Sequence, residues 1–229
     1  MSTTPPIRGE VKICGTTTED DVRIAVESGA DAIGIICPPK SRTRHSVSVE
    51  RAVRLAKAVP DEVSTVLIPR FTEPGQIVEL AKTVRPDRLQ LGETEDPDVL
   101  ADVVRTGVVP LVAQVVHVAD RSAVERAVAF AEHADIIHLD SVGEEPGGTG
   151  HTHDWSISRN ITDAIHAIGK PVILAGGLTA ENVTEAIATV RPDGADVESG
   201  IKLSDGTHDP GKVAGFVRTA RAAFDDLNC

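Results

Sequence analysis

Eight times along this chain a short apolar run gives way, with no hairpin between, to a stretch whose apolar residues recur at three- and four-residue spacing. Strands separated in this way by helices pair in parallel, because the helix carries the chain back to the starting end of the sheet. The runs lie at 11–14, 31–36, 63–68, 87–91, 108–115, 135–140, 171–175 and 194–198. The helical stretches lie at 19–28, 49–58, 73–84, 97–106, 121–133, 155–168, 180–189 and 210–227. Eight such units in 229 residues predict a closed (β/α)8 barrel, since eight parallel strands pair around a ring and leave no edge. A doubly wound open sheet is the rival, but it needs edge strands, and none of the eight runs stands out as one. The chain therefore reads as a loose N-terminal segment, 1–10, and one barrel domain, 11–229.

Composition narrows what such a barrel can bind. The formal charge is −12 and no lysine or arginine cluster is present, which disfavours a nucleic-acid surface. Aromatic residues are 2% of the chain and tyrosine is absent, so the stacking platforms of single-strand binders are missing too. An acid-rich, lysine-poor surface is compatible with life at high salt, where repulsion is screened. Cys14, Cys37 and Cys229 are odd in number and far apart, which fits a reducing compartment better than a disulfide framework. Residues 1–6 lack both the charged start and the apolar centre of a leader, and no run is long enough to span a membrane. The expectation is a cytoplasmic protein with no membrane or nucleic-acid partner.

In a barrel the chemistry gathers where the strands end. The sixth run ends on Asp140 and opens into a glycine-rich loop, with Gly147-Gly148-Thr149-Gly150 free to approach a ligand and Asp154 placed to cap a helix starting at Trp155. Cys14 stands at the tip of the first run. A free cysteine is often a small buried apolar residue, and an aspartate at a strand end often pairs with a backbone N–H. Set across one mouth, however, a thiolate that takes a proton and a carboxylic acid that gives one suffice to move a proton between adjacent carbons of a sugar. Gly176-Gly177 and Ser199-Gly200 follow the last two runs, where barrels hold phosphate on backbone N–H groups. The loop 37–46 after the second run is long and basic, as functional loops are. The eight histidines have no metal-site spacing and no G-x-G-x-x-G opens a helix, so neither metal nor cofactor is expected.

These residues resemble the phosphoribosylanthranilate isomerase family, the barrel enzymes of tryptophan biosynthesis, over nearly the whole chain. The likeness is carried by Lys12-Ile-Cys-Gly15, Gly29-Ala-Asp-Ala-Ile-Gly34, Pro39-Lys-Ser41, Leu139-Asp-Ser141, Gly147-Gly-Thr-Gly150 with Asp154-Trp155, Ala175-Gly-Gly-Leu178 with Glu181-Asn-Val183, and Arg191-Pro192 with Asp196-Val197 and Ser199-Gly200. It implies an Amadori rearrangement of N-(5-phosphoribosyl)anthranilate to 1-(2-carboxyphenylamino)-1-deoxyribulose 5-phosphate. By this resemblance Asp140 is the general acid that opens the ribose ring and Cys14 the general base that removes the C2 proton. Gly177, Ser199 and Gly200 are implied to hold the phosphate, Asp196 to lie on the substrate side, and Arg44, with Arg42 in reserve, to face the anthranilate carboxylate.

The chain also departs from the family. The loop reaching Arg44 is longer, Ile68-Pro-Arg70 replaces a Phe-Val-Asn, and Gln90-Leu-Gly92 lacks a histidine. His151 replaces a lysine, and Glu198 stands beside the phosphate loop where a serine is usual, a repulsive arrangement unless strand alternation turns the carboxylate away. Two other functions stay open at this level. One is a divergent isomerase acting on another phosphorylated sugar; the other is a phosphosugar-binding barrel without catalysis. Monomer and homodimer are equally compatible with the sequence.

Overall fold

The computed structural model describes residues 7–38, 45–94, 96–141 and 154–227. Its strands are β1 (Glu10–Ile13), β2 (Ala32–Cys37), β3 (Ser64–Pro69), β4 (Arg88–Leu91), β5 (Leu111–Val118), β6 (Ile136–Ser141), β7 (Val172–Leu174) and β8 (Gly194–Val197). Each is followed by a helix: α1 (Glu19–Glu27), α2 (Val49–Ala58), α3 (Pro74–Val84), α4 (Pro97–Arg105), α5 (Ser122–Ala131), α6 (Trp155–Ala167), α7 (Val183–Val190) and α8 (Pro210–Leu227). All neighbouring strands pair in parallel and β8 returns to β1, which closes the expected (β/α)8 barrel. Followed from strand to strand, the register comes back to β1 eight residues from where it set out, the stagger that gives such barrels their tilt.

Local chemistry sets most boundaries. Thr18 accepts a hydrogen bond from the Asp21 N–H while the Asp21 carboxylate accepts from Thr18, a reciprocal cap that starts α1. Asp154 caps α6 through the Ser156 N–H at 2.9 Å, as its place before Trp155 predicts. Pro74 and Pro97 occupy the first turns of α3 and α4, where no intrahelical N–H is needed. The largest departure is β5, expected at 108–115 and formed at Leu111–Val118. Pro110 has no N–H for the ladder, so pairing starts after it and runs on to Val118. Helix α7 starts at Val183 rather than at 180, because the Asn182 side chain ties 177–182 into a turn, accepting from Thr179 N and donating to the Gly177 carbonyl. The stretch after β8, read as a loop, contains a short 3-10 turn at Ser199–Ile201.

Two cores result. The larger lies between strands and helices and takes the outward residues of the strands, such as Val11, Ile13, Ile33, Ile35, Leu89 and Leu139. The smaller fills the N-terminal end of the barrel interior with Ala113, Ile136 and Ile173, covered by Ile7 and Leu111. Beside it Arg88 grips Glu10 with both guanidinium nitrogens, at 2.8 and 2.7 Å, a buried fork that closes the barrel from below.

A repeated brace joins the strands in twos. Asp31, Asp87, Asp135 and Asp193 immediately precede or lead into β2, β4, β6 and β8, and each carboxylate accepts, at 2.8 Å, the N–H of Val11, Thr65, Val112 or Val172 on the strand before. Each aspartate also donates its own N–H to the carbonyl of that same residue, at 2.7 to 3.0 Å. The eight strands are thus tied at their N-terminal ends as four couples.

Candidate active site

Strand alternation decides what reaches the interior. On β1, Val11 and Ile13 turn outward to the helices, so Lys12 and Cys14 turn inward. Gly34 of β2 lies beside Cys14 on the neighbouring strand: a side-chain carbon built there would stand 2.6 Å from the Cys14 sulfur and 3.1 Å from Lys12 Nζ. Only glycine leaves both groups their place.

The Lys12 ammonium is wholly buried and donates to Asp196 Oδ2 of β8 at 2.7 Å, and the same oxygen is 3.2 Å from His138 Nε2 of β6. Lys12, Asp196 and His138 therefore form a polar floor that crosses the barrel from β1 through β8 to β6. Cys14 follows Lys12, and Asp140 follows His138, by two residues on the same inward faces. Thiol and carboxyl group thus stand one step nearer the C-terminal rim than the floor, on different walls. Asp196 Oδ1 is buried beside them with no hydrogen-bond partner among the described residues.

The environment separates the two titrating groups. Burial pushes the Asp140 carboxyl above the ordinary carboxylate range, against the pull of His138, His117 and the Ser141 N–H, which donates to Asp140 Oδ1 at 2.7 Å. Burial likewise pushes the Cys14 thiol up to about 12, with Lys12 drawing it down and Asp196 and Glu198 adding to the rise. Burial works against the Lys12 ammonium, but Asp196 and then Cys14 hold it above its usual range. Burial also opposes the Asp196 carboxylate, which Lys12 and His138 nevertheless keep below the usual carboxylate range.

The loops after β7 and β8 interlock. Gly176 and Gly177 both have left-handed backbones, with φ of 91° and 65°, and a side chain at Gly176 would collide with Ser141 at the end of β6. Gly200 sits against the Leu178 carbonyl with no room for a β-carbon. The 3-10 turn carrying Ser199 and Gly200 is thereby packed against Leu178 and Thr179, just after Gly177. Glu198 does not extend over this cradle: its Oε1 is 2.7 Å from His45 Nδ1 and lies over Gly15. The carboxylate is turned toward β1 and the start of α2.

After β3, where the resemblance leads one to expect an asparagine, and after β4, where it leads one to expect a histidine, Arg70 and Glu93 form an ion pair between the two loops. Neither that pair nor the roles of Lys12, His138 and His45 were foreseen. For Lys12 the signal was present, two residues before Cys14 in a strand and hence on its face. Arg42, Arg44, the loop 147–150 and His151 lie outside the described residues. No described helix is long and apolar enough to cross a membrane.

A closed barrel with titratable groups inside its C-terminal rim, and interlocked glycine loops after its last two strands, has the form of a phosphosugar enzyme of the (β/α)8 class. The comparisons narrow the class. A family model described as N-(5'phosphoribosyl)anthranilate isomerase matches residues 11–219, and the chain belongs to that family. It is 41% identical over 220 residues to the N-(5'-phosphoribosyl)anthranilate isomerase of Haloferax volcanii, covering 94% of this chain and 96% of the relative. It is similar, with a TM-score of 0.82 and 33% identity, to the crystal structure of the Thermotoga maritima phosphoribosyl anthranilate isomerase, over 93% of this chain and 98% of that one. A further isomerase structure, in complex with reduced 1-(o-carboxyphenylamino)-1-deoxyribulose 5-phosphate, superposes with a TM-score of 0.78 and 31% identity, over 93% and 98% of the two chains.

Proposed function

We propose that this protein isomerises N-(5-phosphoribosyl)anthranilate to 1-(2-carboxyphenylamino)-1-deoxyribulose 5-phosphate, as an intramolecular oxidoreductase of tryptophan biosynthesis acting in the cytoplasm. The observation that supports the reading is the buried floor of Lys12, Asp196 and His138, which Cys14 follows by two residues on β1 and Asp140 by two on β6. Residues 11–229 act as one barrel domain, and no cofactor enters the reaction.

Asp140, whose carboxyl burial pushes above the ordinary carboxylate range, gives its proton to the ribose ring oxygen. The bond from that oxygen to C1 breaks, and the nitrogen lone pair forms the Schiff base. Cys14, as thiolate, removes the proton from C2. The electron pair left behind makes a double bond between C1 and C2 and neutralises the nitrogen, and the resulting enolamine tautomerises to the ketone. Asp196 Oδ1 accepts a ribose hydroxyl. Gly177, Ser199 and Gly200 hold the phosphate, and Arg44 faces the anthranilate carboxylate with a planar fork.

Conversion of phosphoribosylanthranilate, followed by separating the aldose-derived amine from the ketose, tests the reading. Wild type turns over, whereas Cys14→Ser and Asp140→Asn each lose about 100-fold or more while remaining folded. Full activity in either variant removes that residue from the mechanism. No turnover of this substrate, together with isomerisation of another aldose phosphate, would favour a divergent relative instead.

A further inference from the structure

A fully buried lysine inside a barrel requires a reason beyond stability. Replacing a buried ion pair by well-packed apolar groups is often neutral or stabilising, so the pair of Lys12 and Asp196 is not explained by the energy of the fold. Its position offers a reason. Lys12 Nζ and the Cys14 sulfur both lie over Gly34, 3.1 and 2.6 Å from a single point. The two atoms are therefore within the roughly 4 to 6 Å over which an opposite charge favours the ionised form of a neighbour.

Building on the acid-base reading of Cys14 above, we propose that Lys12 is the positioning residue of that reading: its ammonium, anchored by Asp196 and bridged to His138, is the fixed counter-charge that favours the thiolate form of Cys14 against its burial.

The balance is simple. The thiol proton leaves to solvent, the sulfur keeps the electron pair, and Lys12 retains its own proton throughout. The groups facing the sulfur divide by sign. Lys12 from β1 favours the thiolate, while Asp196 of β8 and Glu198 just after it oppose it. Glu198 is itself paired with His45. On the far side of the floor, His138 shares the Asp196 oxygen with Lys12 and so weakens the hold of that carboxylate on the ammonium. Behind β1, Lys202 reaches the Gly15 carbonyl and adds a second positive charge at greater remove.

Two substitutions of opposite expected sign test this. The probe is iodoacetamide at a fixed pH near 8.5, with alkylation read at the Cys14 peptide by mass so that Cys37 and Cys229 do not contribute. Lys12→Met removes the cation and should slow Cys14 alkylation by about tenfold or more, one pKa unit being a tenfold change in thiolate. Asp196→Asn removes the opposing anion, leaves Lys12 to the sulfur alone, and should accelerate it severalfold. A purely structural pair predicts the same direction for both variants, through loosened packing. Equal directions, or an unchanged rate in Lys12→Met, overturn the proposal. If Lys12→Met fails to fold, the pH profile of alkylation in Asp196→Asn decides: a profile moved to lower pH supports the proposal, while an unchanged rate, or a rate raised equally at every pH as loosened packing would give, overturns it. Failure here is separable from failure of the parent reading, which falls only if Cys14→Ser keeps its activity.

Discussion

His208 illustrates how a single residue makes the fold sensitive to acid. Its ring is fully buried behind β1, with Nε2 3.3 Å from the Cys14 carbonyl, while the main-chain N–H of His208 donates to the Asp21 carboxylate that caps α1. Burial, and then the nearby Lys202, push the imidazole down to about 4 from an ordinary value of 6.5. The folded ring thus stays neutral where the unfolded one is protonated. The stability that comes with this is fully present above about 6.5 and is lost as pH falls toward about 4. The slope from this group reaches about 1.4 kcal/mol per pH unit. Urea titrations of wild type between pH 6.5 and 4.5 should show it, and His208→Gln should flatten it; equal slopes would remove His208 as the cause. At this scale the sequence was most informative about residues at strand tips. Cys14 and Asp140 could be placed because a strand's end is visible as the end of an apolar run. The floor beneath them was not, because Lys12, Asp196 and His138 meet only after β1, β6 and β8 have closed on one another. Arg70 and Glu93 escaped for the same reason, as loops from different units.

The elements carry the paired organisation. Four aspartates, each at the start of an even-numbered strand, hold the strand before them through one carboxylate bond and one main-chain bond. Val112 is buried, so removing the Asp135 carboxylate leaves its N–H without a partner in a dry setting. Asp135→Ala should cost about 1–3 kcal/mol, and Asp135→Asn less, because an amide oxygen still accepts. A denaturant midpoint for the alanine variant equal to that of wild type would refute the brace. The periodicity of the sequence placed all eight strand and helix pairs, and α2 and α8 to the residue. It misjudged β5 because Val108 and Val109 continue the apolar run, while the cause of the later start, the missing N–H of Pro110, does not register as a change in hydropathy. The 3-10 turn at Ser199–Ile201 was missed because three residues carry no period.

Over the whole molecule, charge and closure matter most. A formal charge of −12 on 229 residues works against compaction at low ionic strength. Raising sodium chloride from about 0.1 to 1 M shortens the Debye length from about 10 to 3 Å, so the thermal midpoint should rise over that range. A midpoint that stays level or falls would mean that exposed ion pairs, which salt weakens, outweigh the general repulsion.

The clamp of Arg88 on Glu10, with the plug of Ile7 and Leu111 beside it, bears on traffic as well as on stability. Among the described residues a cylinder so closed at its base is a cup, open at its rim. Whatever enters to react must back out by the doorway it came through, so departure of one molecule and arrival of the next compete for the same passage. A partner enzyme waiting to receive the released molecule would have to wait at that doorway, since the axis of the barrel offers no route to its other end.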